Sequence, residues 1–475
     1  MIEPVSRIEG HGKVTLILDD ENRVTQARLH IVEFRGFERF LQGRPFWEMP
    51  VTVQRLCGIC PVSHHLAAAK ATDKIVGVDK LTPTAEKMRR LMHLAQTFQS
   101  HALHFFHLAS PDLLFGFDAP PEHRNVIHII KENPDLAVQA VLMRKYGQEI
   151  IKATSGKKIH GTGAIPGGIN KNLSIEERDT FLKDIDQMIE WAVESVELIK
   201  GVHVKLDDLM VNFGAFPSNH LSLVREDGAL DLYHGNLRAK NADGDIIFDQ
   251  VDYTKYLDYI NEEVKSWSYM KFPFIKSLGK KDGWYRVGPL ARINNCDFIP
   301  TPLAEAQRAI FMEEAKKFKS KVVNSSLHYH WARLIELLHA VEGIKDLLND
   351  PDLQGEELIL EGERRREGVG LIEAPRGTLF HHYRINENDQ VTMANLIVAT
   401  TNNNEPMNRA VQKVTEQYFD GREITEGLLN RIEVAIRAYD PCLSCATHAV
   451  GKMPLVVELV NTKGEIIQTR AKGYR

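Results

Sequence analysis

Polar and apolar positions alternate at both ends of the chain and follow helical spacing through most of its middle. Residues 14–18 and 24–32 alternate around the polar turn 19–22, which predicts a β-hairpin. Residues 454–470 predict a second hairpin, because two alternating runs flank the turn-forming sequence Asn461-Thr462-Lys463-Gly464. We therefore expect small β elements at the N- and C-terminal ends.

Helical spacing dominates the body between these hairpins. Pro61 suits the first turn of a helix, and Thr82-Pro83 predicts the start of a long amphipathic one. Ser174 and Glu177 have capping-box spacing, and the helix behind them is expected to reach Leu206. Further helical periodicity covers residues 304–348 and 408–438.

Residues 220–290 differ from this helical body. Short β-like runs at 231–235, 245–253 and 283–288 are separated by glycine and aspartate turns, which predicts an α+β insertion. The predicted fold class is therefore α+β: a large, mainly helical body around a central bundle of long helices, with the insertion near 220–290. Residues 1–475 are expected to form a single domain.

Composition narrows the range of partners and compartments. The hydrophobic share of 43% and charged share of 26% are those of a globular protein, and the net charge is −5. No dense basic tract indicates a nucleic-acid partner, and no apolar run approaches the ~18 residues of a membrane span. The five cysteines are odd in number and few, which favours a reducing, cytoplasmic location.

Four of the cysteines form two CxxC pairs at opposite ends of the chain, in RLCGICPVSHH (55–65) and DPCLSCATH (440–448). Two such pairs offer four thiolates, a set that suits soft or borderline metals. Zinc ribbons place their pairs much closer together, a thioredoxin-like motif lacks its βαβ context here, and c-type haem needs histidine after the second cysteine. Spacing alone leaves structural zinc and a functional metal centre both open.

Three other features suggest sites but have simpler interpretations. GTGAIPGG (161–168) is similar to a dinucleotide fingerprint, yet no apolar strand precedes it, so we interpret it as a tight loop. His101, His104 and His107 are expected to make polar contacts on a mostly buried helix. Cys296 is expected to be a packed thiol.

The two cysteine motifs resemble the signature motifs of the large subunit of [NiFe]-hydrogenases. Other segments resemble that family in the same order along the chain: RIEGHG (7–12), FRGFERFLQGR (34–44), HALHFFHL (101–108), GPLARIN (288–294), EAPRGTLFHHY (373–383) and NLIVATTNNN (395–404). RLCGICPVSHH, LFHHY and ATTNNN are most similar to the cytoplasmic, bidirectional, NAD-reducing branch.

The resemblance implies a nickel ion held by all four cysteines, next to an iron that carries CO and cyanide. Cys57 and Cys442 would be terminal nickel ligands, and Cys60 and Cys445 would bridge to the iron. The implied reaction is the reversible heterolytic splitting of dihydrogen. Glu9 would relay the proton from the thiolate of Cys442.

The resemblance also implies the polar surroundings of this centre. Arg376 would lie over the metal pocket, held by Asp112 and Asp440, and Thr400 would donate to a cyanide. His64 would be a supporting residue behind the ligands. A second site for a hard cation, usually magnesium, would use Glu38, a backbone carbonyl near Leu396, and His448. For Glu38 the simpler alternative is a salt bridge to Arg35 or Arg39.

Residues 449–475 are interpreted as a maturation extension, which family members lose by cleavage between His448 and Ala449. With this extension attached, we expect Cys442 and Cys445 not to occupy their final metal-binding positions. The implied partners are a maturation endopeptidase and nickel-insertion chaperones.

A chain with four committed cysteines cannot also hold iron–sulfur clusters. The resemblance therefore implies a small subunit with Fe-S clusters and a diaphorase module with FMN and NAD. Three alternatives stay open: hydrogen chemistry coupled to a heterodisulfide reductase or a deazaflavin, a non-catalytic scaffold of the same fold, and a zinc-stabilised structural protein.

Overall fold

The computed structural model of the protein describes residues 7–10, 12–31, 36–443 and 455–472. The strands are β1 Gly12–Leu18, β2 Val24–Ile31, β3 Ala164–Ile165, β4 Gly168–Ile169, β5 Asn219–Val224, β6 Asn236–Lys240, β7 Ile246–Val251, β8 Ile260–Glu263, β9 Phe272–Ile275, β10 Tyr285–Arg286, β11 Glu367–Ala374, β12 Gly377–Ile385, β13 Val391–Ile397, β14 Leu455–Val460 and β15 Ile466–Lys472. The α-helices are α1 Phe37–Leu41, α2 Met49–Thr52, α3 Pro61–Ile75, α4 Pro83–Ala102, α5 Ser110–Phe115, α6 Val126–Glu132, α7 Pro134–Ser155, α8 Ile175–Leu182, α9 Ile185–Lys205, α10 Asp207–Asn212, α11 Tyr256–Tyr259, α12 Gly279–Asp282, α13 Pro289–Asn295, α14 Pro302–Glu313, α15 His328–Leu348, α16 Ala399–Asn402, α17 Asn404–Tyr418 and α18 Glu426–Ala438.

Four long helices form the centre of the molecule. Helix α4 packs against α7 and α15, and α15 packs against α9. Helix α15 is buried along nearly its whole length, including charged residues such as Arg333 and Glu336. The predicted α+β class is confirmed, and long helices do form the central bundle.

The starts of the helices agree with the predictions from sequence better than their ends do. Thr82 caps α4 by accepting a hydrogen bond from the backbone N–H of Ala85, and Ser174 and Glu177 form the predicted capping box. The helix expected to reach Leu206 is instead two helices, α8 and α9. The periodic stretches 304–348 and 408–438 are also each divided, into α14 and α15 and into α17 and α18.

The hairpins at the two ends of the chain share one sheet. Strand order is β15-β14-β1-β2, with β14 parallel to β1 and each hairpin antiparallel within itself. Both hairpins were predicted, but alternation within a strand does not indicate which other strand it pairs with. The C-terminal residues 455–472 therefore pack beside the N-terminal strand that follows Glu9.

The sheet β11-β12-β13 was not predicted. Its first two strands are buried on both faces, so they show no alternation of polar and apolar residues. Helix α3 lies directly on β11, and a Cβ atom at Gly370 would stand 2.1 Å from the carbonyl oxygen of Ala67. This close contact packs α3 against β11. Cys60, just before α3, thereby lies on the same side as the turn between β11 and β12.

The region 220–290 contains the expected α+β insertion. Strands β5, β6, β7 and β10 form one sheet in the order β10-β5-β6-β7, and β8 pairs with β9. Residues 231–235, predicted as a strand, form bends instead because Asp231 accepts the backbone N–H groups of Tyr233 and His234. The sequence 161–168 contains β3 and the tight turn at Pro166-Gly167 that leads into β4, in agreement with the predicted tight loop.

Among the helices of the described ranges, none combines the length and apolar character needed to cross a bilayer.

Buried histidines predict a loss of stability in mild acid. Burial lowers the pKa to about 4 in His65, His93, His101 and His339. Below pH 6.5 these imidazoles are protonated in the unfolded chain but stay neutral in the folded one. The free energy of unfolding present above pH 6.5 is therefore lost progressively as the pH falls toward 4. Each of these histidines lowers the free energy of unfolding by about 1.4 kcal/mol for every pH unit of decrease in this window.

We expect the urea midpoint of unfolding to fall steeply between pH 7.5 and pH 5.5. Glu336, whose pKa is about 2 because Arg292 offsets the effect of its burial, contributes only below this window. His339→Gln keeps a hydrogen-bonding group opposite Thr301 and should remove about 1.4 kcal/mol of the pH dependence. An equal midpoint at both pH values would contradict the prediction.

Candidate metal centre

The first cysteine pair lies where the chain enters α3. The preceding turn ends at Cys57, and Cys60 is the residue before Pro61, the first residue of α3. The backbone N–H groups of Ile59 and Cys60 donate to the Sγ atom of Cys57 at 3.2 and 3.1 Å. Such donors stabilise a thiolate, the form of cysteine that binds a metal.

The second motif reaches the same place from the other end of the chain. Asp440 adopts a positive φ of 53° just after α18, and Cys442 forms a parallel bridge with Glu9. The backbone N–H of Leu443 donates to the carbonyl of Glu9 at 2.9 Å, and that of Cys442 donates to the hydroxyl of Thr400 at 3.1 Å. These contacts fix the backbone of Cys442 between the N-terminal segment and α16.

Three sulfur atoms meet as a result. The Sγ atom of Cys57 lies 3.2 Å from that of Cys442 and 3.1 Å from that of Cys60. All three cysteines are buried, and each is a thiol rather than half of a disulfide. Thiols packed this closely in the dry interior suit a shared metal ion, and a disulfide would need about 2.05 Å.

Cys445, His448 and Ala449 lie outside the described residues. The expectation that the extension keeps Cys442 and Cys445 from their final metal-binding positions therefore stays a prediction. With residues 455–472 present, the Sγ atom of Cys442 lies 3.2 Å from that of Cys57. Glu9 and Thr400, which lie far from the extension in sequence, hold the backbone of Cys442 at this place.

Arg376 lies at the turn between β11 and β12 and faces these sulfurs. Its guanidinium donates to Asp440 at 3.0 Å and to Ser100 at 3.4 Å. Burial alone would lower its pKa, but the carboxylate of Asp440 and, in their ionised form, the three cysteines raise it well above the ordinary value. The Nε atom of Arg376 has no hydrogen-bond partner among the described residues, so one donor is left for a bound group.

Asp112 does not hold Arg376, which is a correction to the expectation from sequence. Its carboxylate pairs with Arg7 at 2.6 Å and with Arg437. These arginines lower its pKa despite its burial. These contacts join the segment that carries Glu9 to helix α18, which leads to Cys442. Asp112 therefore holds in place the backbone segments that carry site residues.

His64 stands behind Cys60 in a chain of hydrogen bonds. Its Nδ1 lies 3.1 Å from Nε2 of His381, whose Nδ1 lies 2.5 Å from the hydroxyl of Tyr383. A small cavity lies in front, lined by Cys60, His64, Ala374, Pro375, Arg376, Leu379, Val398, Ala399 and Thr400. Cys60 therefore shares this cavity with three polar side chains, those of His64, Arg376 and Thr400, and with apolar residues.

Glu38 lies in a second cluster, near the end of β13. Its carboxylate accepts the backbone N–H of Leu396 at 3.0 Å and lies 3.7 Å from the ammonium of Lys271. Lys271 also contacts Glu262, whose pKa is raised by burial. Among the described residues Glu38 therefore pairs with Lys271, whereas Arg39 contacts Gln42; Arg35 lies outside the described residues.

Sequence reasoning missed several residues that complete these sites. His381 and Tyr383 lie two apart on β12, so the strand period of two would have placed them on one face had the strand been recognised. Arg7, Lys271 and Arg437 gave no signal, since a lone basic residue in a sequence is usually exposed.

Comparisons with known proteins agree with this geometry. Residues 35–118 and 220–448 match the family described as Nickel-dependent hydrogenase, and residues 1–34 match a HoxL-like family. The NAD-reducing hydrogenase HoxS subunit beta of Cupriavidus necator is 52% identical over 99% of both chains. One chain of the F420-non-reducing hydrogenase of Methanothermobacter thermautotrophicus is 44% identical over 98% of both chains.

Solved structures lead to the same family. An NAD+-reducing [NiFe]-hydrogenase in the H2-reduced state is 56% identical, with a TM-score of 0.90 over 94% of this chain and 98% of that chain. The Ni-Fe-Se hydrogenase of D. vulgaris Hildenborough is 25% identical, with a TM-score of 0.74 over 94% and 99%. The three clustered sulfurs, the family match and these relatives have one explanation: this chain belongs to the nickel-dependent hydrogenase family, as a large subunit of the [NiFe] type.

Proposed function

We propose that this chain is the catalytic subunit of an NAD-linked hydrogenase, which splits dihydrogen reversibly at a Ni-Fe centre. The observation that carries the proposal is the buried cluster of Cys57, Cys60 and Cys442 beside Arg376. This cluster occurs in a chain that is 52% identical to an NAD-reducing hydrogenase subunit, which favours NAD as the electron acceptor.

Cys57, Cys60, Cys442 and Cys445 would hold the metals, with Cys57 and Cys442 terminal on nickel and Cys60 and Cys445 bridging to iron. The bound centre, with CO and cyanide on the iron, supplies heterolytic cleavage of dihydrogen. The two backbone N–H groups that donate to Cys57 orient its sulfur, and close packing keeps water out of the pocket.

Glu9 is proposed to carry the proton away from Cys442. Its backbone bridges that of Cys442, so its carboxyl group starts from a position next to the terminal thiolate. A carboxyl group is a suitable carrier when partial burial brings its pKa toward the working pH. The ion pairs of Asp112 with Arg7 and Arg437 would hold the two segments in register.

Arg376 and Thr400 are proposed to bind the polar ends of the iron's diatomic ligands. Arg376 keeps a free Nε donor, and Thr400 accepts the N–H of Cys442, which leaves its own hydroxyl proton to donate elsewhere. Asp440 would position Arg376, and His381 and Tyr383 would orient the ring of His64 behind Cys60.

Glu38, the carbonyl of Leu396 and His448 are proposed to bind magnesium. Glu38→Gln would keep an acceptor for the N–H of Leu396 but remove the charge that a hard cation needs. We expect the variant to lose its one magnesium ion per chain on dialysis, measured by metal analysis. Glu48→Gln, an exposed substitution beside Arg44, should retain it. Retention of magnesium by both variants would contradict the assignment.

The electron path is proposed to leave this chain through partners: a small subunit with Fe-S clusters, then a diaphorase module with FMN and NAD. The second candidate is the same hydrogen chemistry coupled to a heterodisulfide reductase or a deazaflavin. We assign the complex to the cytoplasm.

Residues 449–475 are proposed to be a maturation extension, removed by an endopeptidase between His448 and Ala449 after chaperones insert nickel. Strand β14 of this extension pairs with β1, immediately after the segment of Glu9. Cleavage would free that strand edge as the last step of assembly.

Metal analysis of the purified, processed complex tests the proposal. We expect about one nickel and one iron per large subunit beyond the Fe-S clusters, infrared bands of CO and cyanide, and hydrogen-dependent reduction of NAD. Zinc in place of nickel would overturn the hydrogenase assignment. Normal metals and hydrogen uptake with an artificial dye, but no NAD reduction, would instead overturn only the acceptor.

A further inference from the structure

A second group of metal-binding side chains lies away from the cysteines. His203 near the end of α9, Glu314 in the turn after α14 and His328 at the start of α15 bring their ligand atoms within 4.8 Å of one another. Both histidines are buried, and Glu314 is partly exposed at the rim. Three segments far apart in sequence therefore converge on one point.

Both imidazoles have a nitrogen that nothing in the described ranges satisfies. The Nε2 atom of His203 is buried without a hydrogen-bond partner. In His328 the unpaired nitrogen is Nδ1, whereas Nε2 lies on the side of Glu314 and is the nitrogen that would serve as a ligand. Such orphaned groups are rare in folded proteins because burying them without a partner is costly.

The spacing is close to that of a tetrahedral site. Nitrogen and oxygen ligands about 2.0–2.1 Å from a zinc ion stand roughly 3.3 Å from one another. His328 Nε2 and Glu314 Oε2 are 3.5 Å apart, close to this spacing, and the ligand atoms of all three residues lie within 4.8 Å of one another. Binding of an ion would draw the three atoms closer together.

The surroundings favour a transition metal over a hard cation. The rings of Phe311, Phe318 and Trp331 pack against the two histidines. Two imidazoles and one carboxylate form a donor set typical of zinc, whereas magnesium and calcium prefer oxygen ligands and water. The charged neighbours are Lys317, 2.8 Å from Glu314, and Asp207, which shares that ammonium.

We propose that His203, Glu314 and His328 form a site for a divalent zinc-type ion that links α9 to the start of α15. The ion would replace the ammonium of Lys317 on Glu314, and water would take the remaining position at the exposed rim. His203 belongs to residues 119–219, which lie between the two parts of the family match. The ion would therefore fasten the C-terminal end of α9, which lies in this unmatched segment, to the start of α15.

The test uses the purified, nickel-loaded complex after treatment with a chelator and gel filtration. Zinc is titrated in competition with a chromophoric chelator, and crystals are measured at the zinc absorption edge. We expect one tight zinc ion per chain, with anomalous density between the three side chains. Bound zinc should raise the thermal midpoint of the complex and leave its hydrogen-uptake rate unchanged.

Glu314→Gln and His203→Gln should weaken zinc binding at least about 100-fold. His339→Gln, a change to another buried histidine of α15, should leave zinc binding unchanged. Should His203→Gln fail to fold, the rim variant Glu314→Gln still decides the matter. A wild-type complex that binds no stoichiometric zinc, or a Glu314→Gln variant that binds it as tightly as the wild type, would overturn the proposal.

Discussion

Cys57→Ala is expected to abolish hydrogen uptake and to leave the processed complex without nickel. Cys57 is the centre of the sulfur cluster, 3.1 and 3.2 Å from Cys60 and Cys442, and it receives two backbone N–H groups. Loss of a residue that only supports a metal ligand costs about 10- to 100-fold in affinity. Loss of the ligand itself should cost more, so activity should fall to the background rate.

Cys296→Ala is the matched control for this change. Cys296 is also buried, and burial raises the pKa of its thiol to about 12, so it stays an uncharged, packed group. Metal analysis and hydrogen-dependent dye reduction should give wild-type values for this variant. Nickel content and uptake unchanged in Cys57→Ala would contradict the assignment of the cluster as the metal centre.

The local elements of this fold were predictable where one short segment determines them. The N-terminal hairpin, the start of α4 at Thr82 and the capping box at Ser174 depend on residues within a few positions of one another. The two cysteine motifs were equally visible, since their spacing predicts a metal site. The convergence of Cys57 and Cys442 came from the family resemblance.

The remaining features depend on contacts between distant segments. Strands β11 and β12 are buried on both faces, so their sequences lack the alternation that identifies an edge or surface strand. The pairing of Asp112 with Arg7 and Arg437 was missed because Asp112 looked equally suited to hold Arg376. Which arginine a buried carboxylate contacts is decided by packing, which one short motif does not encode.

A network of buried charges shows how that packing supports the site. Arg292 on α13 pairs with Glu336 on α15 at 2.5 Å and with Glu373 on β11 at 2.9 Å. It also donates to the carbonyls of Ala374 and Pro375, the residues just before Arg376. The central bundle thereby fixes the turn that presents Arg376 to the sulfurs.

Arg376→Lys is expected to lower the hydrogen-uptake rate about 10²- to 10³-fold, the usual cost of one preorganised donor at a reacting centre. Lysine keeps the positive charge but lacks the planar fork that reaches Asp440 and Ser100 and leaves Nε free. Nickel and iron contents should stay at wild-type values, because the four proposed ligands are unchanged. A shift of the cyanide infrared bands would accompany the loss of rate.

Arg89→Lys separates this effect from the general cost of altering a buried ion pair. Arg89 is fully buried and pairs with Asp73 at 2.6 Å, near the β3–β4 turn. This control should lower the thermal midpoint but leave the rate per nickel and the infrared bands unchanged. Equal losses of rate per nickel in both variants would show that Arg376 stabilises the fold only. Arg376 donates to Asp440, two residues before Cys442, and lines one cavity with Cys60, whereas Arg89 donates to Asp73 and to the carbonyls of Ile165 and Gly168.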